Sequence, residues 1–200
     1  MKYSFLVVVL LCALAGCTDH CPKRKKDKTP TVVDHGSLPD SLKNVIPYHH
    51  GETVKYKHNN GHVVSFSIER STEKVTSPCY WCCENIETDI YEVENTYLEP
   101  DYLLFDISLS MNNYKEAMRH FVVKVGVSEF EMPFDYGSQN TVVYDTLTIN
   151  SQEYLNVIKV GNSTNYSSSL EIYPVSIYYN RSHGIVKILM SNEEYYELEE

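Results

Sequence analysis

The chain reads as an all-β protein, an antiparallel meander closing on itself as a sandwich, a roll or a half-barrel. Three observations predict this. Apolar and polar residues alternate with period two over several stretches, short turn sequences separate those stretches, and helical periodicity is nearly absent. Two-residue turns imply antiparallel neighbours, because parallel strands need long crossovers. One-sided alternation gives each strand a wet face and a dry face.

The elements follow in order from about Tyr48. Thr53 to Lys57 reads as a short strand, and Val64, Phe66 and Ile68 alternate with Ser65, Ser67 and Glu69 in a second from His62 to Arg70. Between them stands Asn59-Asn60-Gly61. Asn-Gly between alternating runs predicts a hairpin with a type I′ turn, which requires positive φ at both central residues. Glu84, Glu87, Asp89, Glu92 and Glu94 read as a solvated acidic edge that discourages pairing with other sheets. Leu103, Phe105, Ile107, Leu109 and Met111 alternate with polar neighbours, and Phe121, Val123, Val125 and Val127 repeat the period with Lys124 and Gly126 outward. Asn112 to Met118 is the place for at most one short helix. Thr141 to Ile149 and Glu153 to Val160 flank a tight turn at Asn150-Ser151. Pro174 interrupts Leu170 to Tyr179 and predicts an edge or a bulge. Asn180 to Gly184 turns the chain into Ile185–Met190, and Ser191-Asn192 turns it into Glu194–Leu198.

The first residues follow a different logic. Lys2 precedes an unbroken apolar run of ten residues, Phe5 to Leu14. A bilayer core of ~30 Å needs ~20 apolar helical residues, so this run is too short to span and reads as a secretory signal. Leu14-Ala15-Gly16-Cys17 resembles the bacterial lipobox. That resemblance implies diacylglyceryl transfer to the Cys17 thiol, cleavage before Cys17, and further acylation with a palmitate-type chain. Each buried CH₂ contributes ~0.8 kcal/mol, so two or more chains anchor stably. The expected organisation is a signal peptide over residues 1–16, a lipid-anchored flexible tether over 17–45, and one antiparallel β domain over 46–200. Cys21 to about Ser41 is polar, with Pro22, Pro30 and Pro39, which fits the tether.

Charge narrows the partners. Removing Lys2 leaves 16 basic against 27 acidic residues, a net of −11. Thr18 to Pro30 carries five basic residues against Asp19 and Asp27, a net of +3, so the remainder is near −14. Such a surface excludes nucleic acid, which calls for a basic footprint. The run Lys23-Arg24-Lys25-Lys26 is a solvated linker that can also be drawn to anionic headgroups.

Chemistry-bearing residues are sparse. Beyond Cys17, the exported chain keeps Cys21, Cys79, Cys82 and Cys83, which allow three disulfide connectivities. Export favours disulfides, and Cys79-Tyr80-Trp81-Cys82-Cys83 is also a candidate thiol-redox or metal site. His49, His50, His58 and His62 form a second candidate cluster, since the hairpin brings His58 near His62 and paired imidazoles bind zinc or copper. No nucleophile-elbow, zinc-protease or phosphate-cradling motif is present, so neither catalysis nor a cofactor is expected. Tyrosine is abundant at 17 residues, and Tyr173, Tyr178, Tyr179, Tyr195 and Tyr196 gather near the C-terminus as strand packing or as an aromatic platform for a glycan or protein.

The segment from Ile46-Pro47-Tyr48 to Glu69 and the closing stretch YYNRSHGIVKILMSNEEYYEL resemble lipoproteins of Bacteroidota whose function is unknown. The resemblance covers most of the exported chain in pattern and implies an envelope lipoprotein with a β-rich domain, at the outer membrane and facing either side of it. It carries no catalytic residues. Three function classes follow: a non-enzymatic binding or scaffolding domain whose partner is another envelope protein or a glycan, a carrier of an acyl chain in a curved sheet, and a thiol-active or metal protein.

Overall fold

The computed structural model describes residues 31–78, 87–102, 104–114, 120–133, 141–163 and 172–199. The described residues are nearly all β, with strands over 67% of them, one short helix, and a curled antiparallel half-barrel sheet. The predicted class therefore holds, and of the three predicted closures it is the half-barrel.

Contacts divide the chain into two units, one of Met1–Val33 and Thr76–Asp89, the other of Asp34–Val75 and Ile90–Glu200. In the smaller unit the described residues are strand. They belong to β1 (Thr31–Asp34), the far end of β3 (Val63–Pro78) and the start of β4 (Glu87–Pro100). Strand β1 pairs with β4.

The larger unit holds the core. Beyond β3 and β4 it contains β2 (Thr53–His58), β5 (Ile107–Asn112), β6 (Phe121–Val125), β7 (Ser128–Met132), β8 (Thr141–Ile149), β9 (Gln152–Gly161), β10 (Pro174–Asn180), β11 (Gly184–Met190) and β12 (Tyr195–Glu199). The sheet runs β7-β6-β5-β4-β3-β2-β12-β11-β10-β9-β8. Each neighbour is next in sequence except β2 and β12, which join the two ends of the chain with Tyr56 opposite Leu198 and His58 opposite Tyr196. The sheet's β7 end is fastened near β9 and β10 by single bonds rather than a ladder. Ser128 Oγ donates to the Pro174 carbonyl at 2.7 Å, and the Ser163 amide donates to the Glu129 carbonyl at 2.9 Å.

Alternation sets the inner face. Val64, Phe66 and Ile68 of β3, Ile107, Leu109 and Met111 of β5, and Phe121, Val123 and Val125 of β6 are all buried as the period-two pattern predicts. The run from Phe121 to Val127 is broken at Gly126, whose φ of +54° turns the chain from β6 into β7. Phe121 meets Tyr179 of β10 edge to face, with centroids 5.4 Å apart.

The turn chemistry differs from the expectation at one site. Gly61 has φ +95°, while Asn60 is not among the positive-φ residues. Gly61 N–H donates to the His58 carbonyl and His58 N–H to the His62 carbonyl. This is a three-residue loop closed by a left-handed glycine, not a type I′ turn. Asn150 and Ser151 both have positive φ, at 48° and 66°, as type I′ geometry requires. Pro174 opens β10, and a register irregularity follows it against β11, as its missing N–H predicts.

The second half of the expected tether is structured. After β1, helix α1 (Asp40–Lys43) is a single turn with Asp40 at its start and Lys43 at its end, which suits the helix dipole. Leu38, Ile46 and Tyr48 are buried in the core. These apolar residues lie too far apart in a polar, Pro-containing stretch to register as periodic. Residues 38–48 form a strap packed into the larger unit. The residues expected to form the helix near Asn112 to Met118 lie mostly outside the described ones.

Candidate functional site

Two arrangements stand out, one inside the larger unit and one on its outer face.

Inside, the strap is held by charge. The Arg70 guanidinium, on β3, donates to three strap carbonyls: Lys43 at 2.8 Å, Ile46 at 3.1 Å and Tyr48 at 2.8 Å. Its Nε pairs with the buried Glu94 carboxylate of β4. Five donors in a rigid fork allow one side chain to make all of these bonds. Lys43 Nζ lies 2.8 Å from Glu92 of β4, which also accepts the Leu38 N–H at 3.2 Å. The hydrogen bond from Lys43 is the largest influence holding the Glu92 carboxyl below its usual range, and Lys43 is raised in return. Asn113 completes the clasp. Its amide donates to the carbonyls of His35 and Gly36, and its oxygen accepts the Glu92 N–H.

The far side of the strap meets tyrosine. Tyr48 Oη lies 3.1 Å from Tyr56 Oη and accepts the Ile185 N–H at 2.7 Å, while Tyr56 Oη donates to the Ile185 carbonyl at 2.9 Å. Tyr179 Oη donates to the Val45 carbonyl at 2.6 Å. Burial pushes the Tyr48 phenol up to about 12, and Tyr56 and Tyr179 well above the ordinary value. All three hydroxyls have partners, which is the condition for burying them without penalty.

The acidic segment of β4 is not the solvated edge its sequence predicts. Glu92 and Glu94 are buried and paired rather than solvated, and Asp89 is buried too. For Glu92 and Glu94 the cause is register. Leu98 faces the core, and with a period of two Thr96, Glu94 and Glu92 face inward with it. Glu84 and the side chain of Glu87 lie outside the described residues.

On the outer face, one cross-strand row runs Lys57, Glu197, Lys187, Tyr178, Lys159, Val142 over β2, β12, β11, β10, β9 and β8. Lys187 Nζ sits 3.9 Å from the Tyr195 ring centroid and 2.8 Å from Glu197, and Lys159 Nζ sits 5.4 Å from the Tyr178 centroid. Tyr178 stacks on Tyr144 at 6.1 Å. A ring face and an ammonium attract through the ring quadrupole, so these rows are pre-ordered.

The candidate residues read from sequence fall as follows. Cys17, Cys21, Cys79, Cys82 and Cys83 lie outside the described residues. The histidines do not assemble. His49 and His50 stand at one end of β2, and His50 Nδ1 accepts the Arg70 N–H at 3.3 Å. His58 and His62 stand at the other end of this six-residue strand, which rises ~3.3 Å per residue. His58 is buried against Tyr196, 3.7 Å from a Glu194 oxygen, while His62 packs on Tyr102. Among the described residues no group of three or more His, Cys, Asp or Glu is placed to hold a metal ion. The C-terminal tyrosines divide between faces. Tyr179 is core and Tyr196 lines the inner rim with Phe105, while Tyr178 belongs to the outer row and Tyr195 packs beside it on Lys187. Arg70, Lys43 and Asn113 carry the clasp without having stood out. A lone Arg ending an apolar strand, opposite an inward carboxylate, was the available signal for Arg70.

A cavity of ≈ 330 Å³ lies beside the β8–β9 turn, lined by Lys57, Asn150, Ser151, Gln152, Leu198 and Glu199. Its walls are mostly polar. No helix among the described residues is long and apolar enough to cross a membrane. No protein-family profile, curated protein or solved structure matches this chain.

Proposed function

We propose that this chain is a lipid-anchored envelope protein whose β domain acts by binding or scaffolding rather than by catalysis. Leu14-Ala15-Gly16-Cys17 supports the anchor. One structural observation supports the mode of action. The dry face of the curled sheet is occupied by the chain's own strap and by large side chains such as Tyr56, Phe66, Phe130 and Tyr179. A partner then meets the outer surface, another envelope component being the simplest candidate. Acyl carriage would require the strap to leave.

Native mass spectrometry and uptake of an apolar dye test the choice. The expected result is neither alkyl adducts nor dye uptake, and either one would replace scaffolding by carriage. For the anchor, Cys17→Ala is expected to abolish fatty-acid incorporation and membrane retention. A variant that kept both would sink the lipoprotein reading. Background rates of insulin reduction and a metal-free purified sample are expected in place of thiol or metal chemistry at Cys79, Cys82 and Cys83.

A further inference from the structure

We infer that the outer face of β2, β12, β11, β10, β9 and β8 is a docking surface for an anionic bilayer surface. The inference rests on the lipid-anchored reading above and adds to it an orientation of the domain.

The outer face is segregated along the sheet. Across β4, β5, β6 and β7 one row runs Tyr97, Ser108, Lys124, Glu129, with Lys124 paired to Glu129 at 3.2 Å, and Ser65 and Ser67 of β3 continue this half without a lysine. Across the other half the lysines Lys55, Lys57, Lys159 and Lys187 alternate with Tyr144, Tyr178 and Tyr195. Lys55 faces Glu199 and Lys57 faces Glu197 across β2 and β12, and Glu153 faces Thr148 at the β8 edge. Those carboxylates reduce the positive charge without cancelling it, and they sit in a unit that is otherwise strongly acidic.

Two exposed apolar side chains join this half. Val142, 51% exposed, ends the row opposite Lys159, and Leu155, 58% exposed, lies opposite Thr146 beside it. The row spans five strand steps, roughly 24 Å at ~4.8 Å each. Exposed aliphatics, tyrosines with a flat apolar body and a polar tip, and lysines with long apolar stems together match a headgroup layer over acyl chains. Each lysine near an anionic surface contributes about fivefold in affinity. Charges elsewhere are screened beyond ~8 Å, so local composition decides the contact. The acidic surfaces repel the same bilayer, which leaves this face as the one presented.

The test uses the full chain purified with its anchor and reconstituted into vesicles of phosphatidylcholine, alone or mixed with phosphatidylglycerol. Lysine acetylation is read by mass spectrometry. Lys57, Lys159 and Lys187 are expected to be shielded on the anionic vesicles only, while Lys74 and Lys124 label equally on both. Lys57→Gln with Lys159→Gln is expected to lower the protection of Lys187 about twenty-five-fold, at ~fivefold for each lysine, with an unchanged circular dichroism spectrum. Equal labelling on the two vesicles, or protection that survives the double substitution, overturns the proposal. So does protection by a soluble acidic polysaccharide but not by vesicles, which would assign the face to a glycan. The anchor is scored separately by the acyl mass on the purified chain. If that mass is absent, the same footprint is read with vesicles mixed with the protein, so failure of the anchor and failure of the docking face are distinct results.

Discussion

The phenol of Tyr48 occupies the space that a β-carbon on Gly184 would need, with Tyr48 Oη 2.2 Å and Tyr48 Cζ 2.3 Å from that position. Gly184 also has φ +79°, so the turn before β11 and the strap meet where only a bare backbone fits. The close approach lets the Ile185 amide reach the Tyr48 hydroxyl.

Gly184→Ala is therefore expected to destabilise by about 3 kcal/mol or more, from the left-handed backbone and the overlap together. Tyr48→Phe should not rescue it, because the ring carbon clashes as well. In Tyr48→Ala the space is already vacant, so adding Gly184→Ala there should cost only about 1–2 kcal/mol. Urea unfolding of Gly184→Ala, Tyr48→Ala and the two double variants checks this, and a full additive loss in Tyr48→Ala with Gly184→Ala would contradict the overlap.

Arg70→Met strips a buried carboxylate, Glu94, of its partner and frees three strap carbonyls at once. A loss of about 4 kcal/mol is expected. Lys43→Met should cost only about 1 kcal/mol, because the lysine side chain is 28% exposed and water screens the pair. The ratio between the two variants in chemical denaturation is the measurement, and equal losses would mean that the strap is not held chiefly through Arg70.

Alkaline pH should unfold the protein cooperatively. Tyr48, Tyr56 and Tyr179 are raised by burial, so the folded state disfavours their ionised forms. Stability from a raised group is complete below the unfolded value of ~10 and is lost as pH rises toward the folded value. Lys43, raised mainly by its bond to Glu92, acts in the same direction at high pH. Glu92 is lowered, so its contribution is present above ~4.3 and lost as pH falls through its folded value. Phenolate absorbance and circular dichroism, followed together above about pH 10, should show the buried tyrosines titrating only with unfolding.

Glu193 has φ +69° in the turn between β11 and β12, where its N–H donates to the Met190 carbonyl. The equivalent position in the β2–β3 loop is Gly61. Glu193→Gly is expected to stabilise by roughly 1 kcal/mol, seen as a higher thermal midpoint, because glycine adopts this conformation without the side-chain penalty.

Strands, turns and most of the core were legible because period-two alternation reports burial directly. Phe66, Leu109 and Val123 needed no further information. The strap was not, since Leu38, Ile46 and Tyr48 reach the core from irregular backbone, where no period marks them. The clasp was hidden for another reason. Glu92 and Glu94 look solvent-facing until Leu98 fixes the register of β4, and their cations arrive from β3 and α1. The outer row was half legible. The tyrosines were conspicuous, but only the pairing of β9 to β12 sorts Tyr178 and Tyr195 from Tyr179 and Tyr196. The candidate cysteines fall outside the described residues.

The joining of β2 to β12 has a consequence for how the chain comes into being. Tyr48 meets Ile185 across 137 residues, Tyr179 meets Val45 across 134, and Tyr56 meets Ile185 across 129. Arg70, Glu92 and Glu94 can hold the strap early, but its partners Ile185 and Tyr179 come only with the last strands, so the core cannot be completed on a nascent fragment. High contact order slows such closure further. Late completion leaves the polypeptide pliable until synthesis is nearly finished, with the final two hairpins acting as the latch.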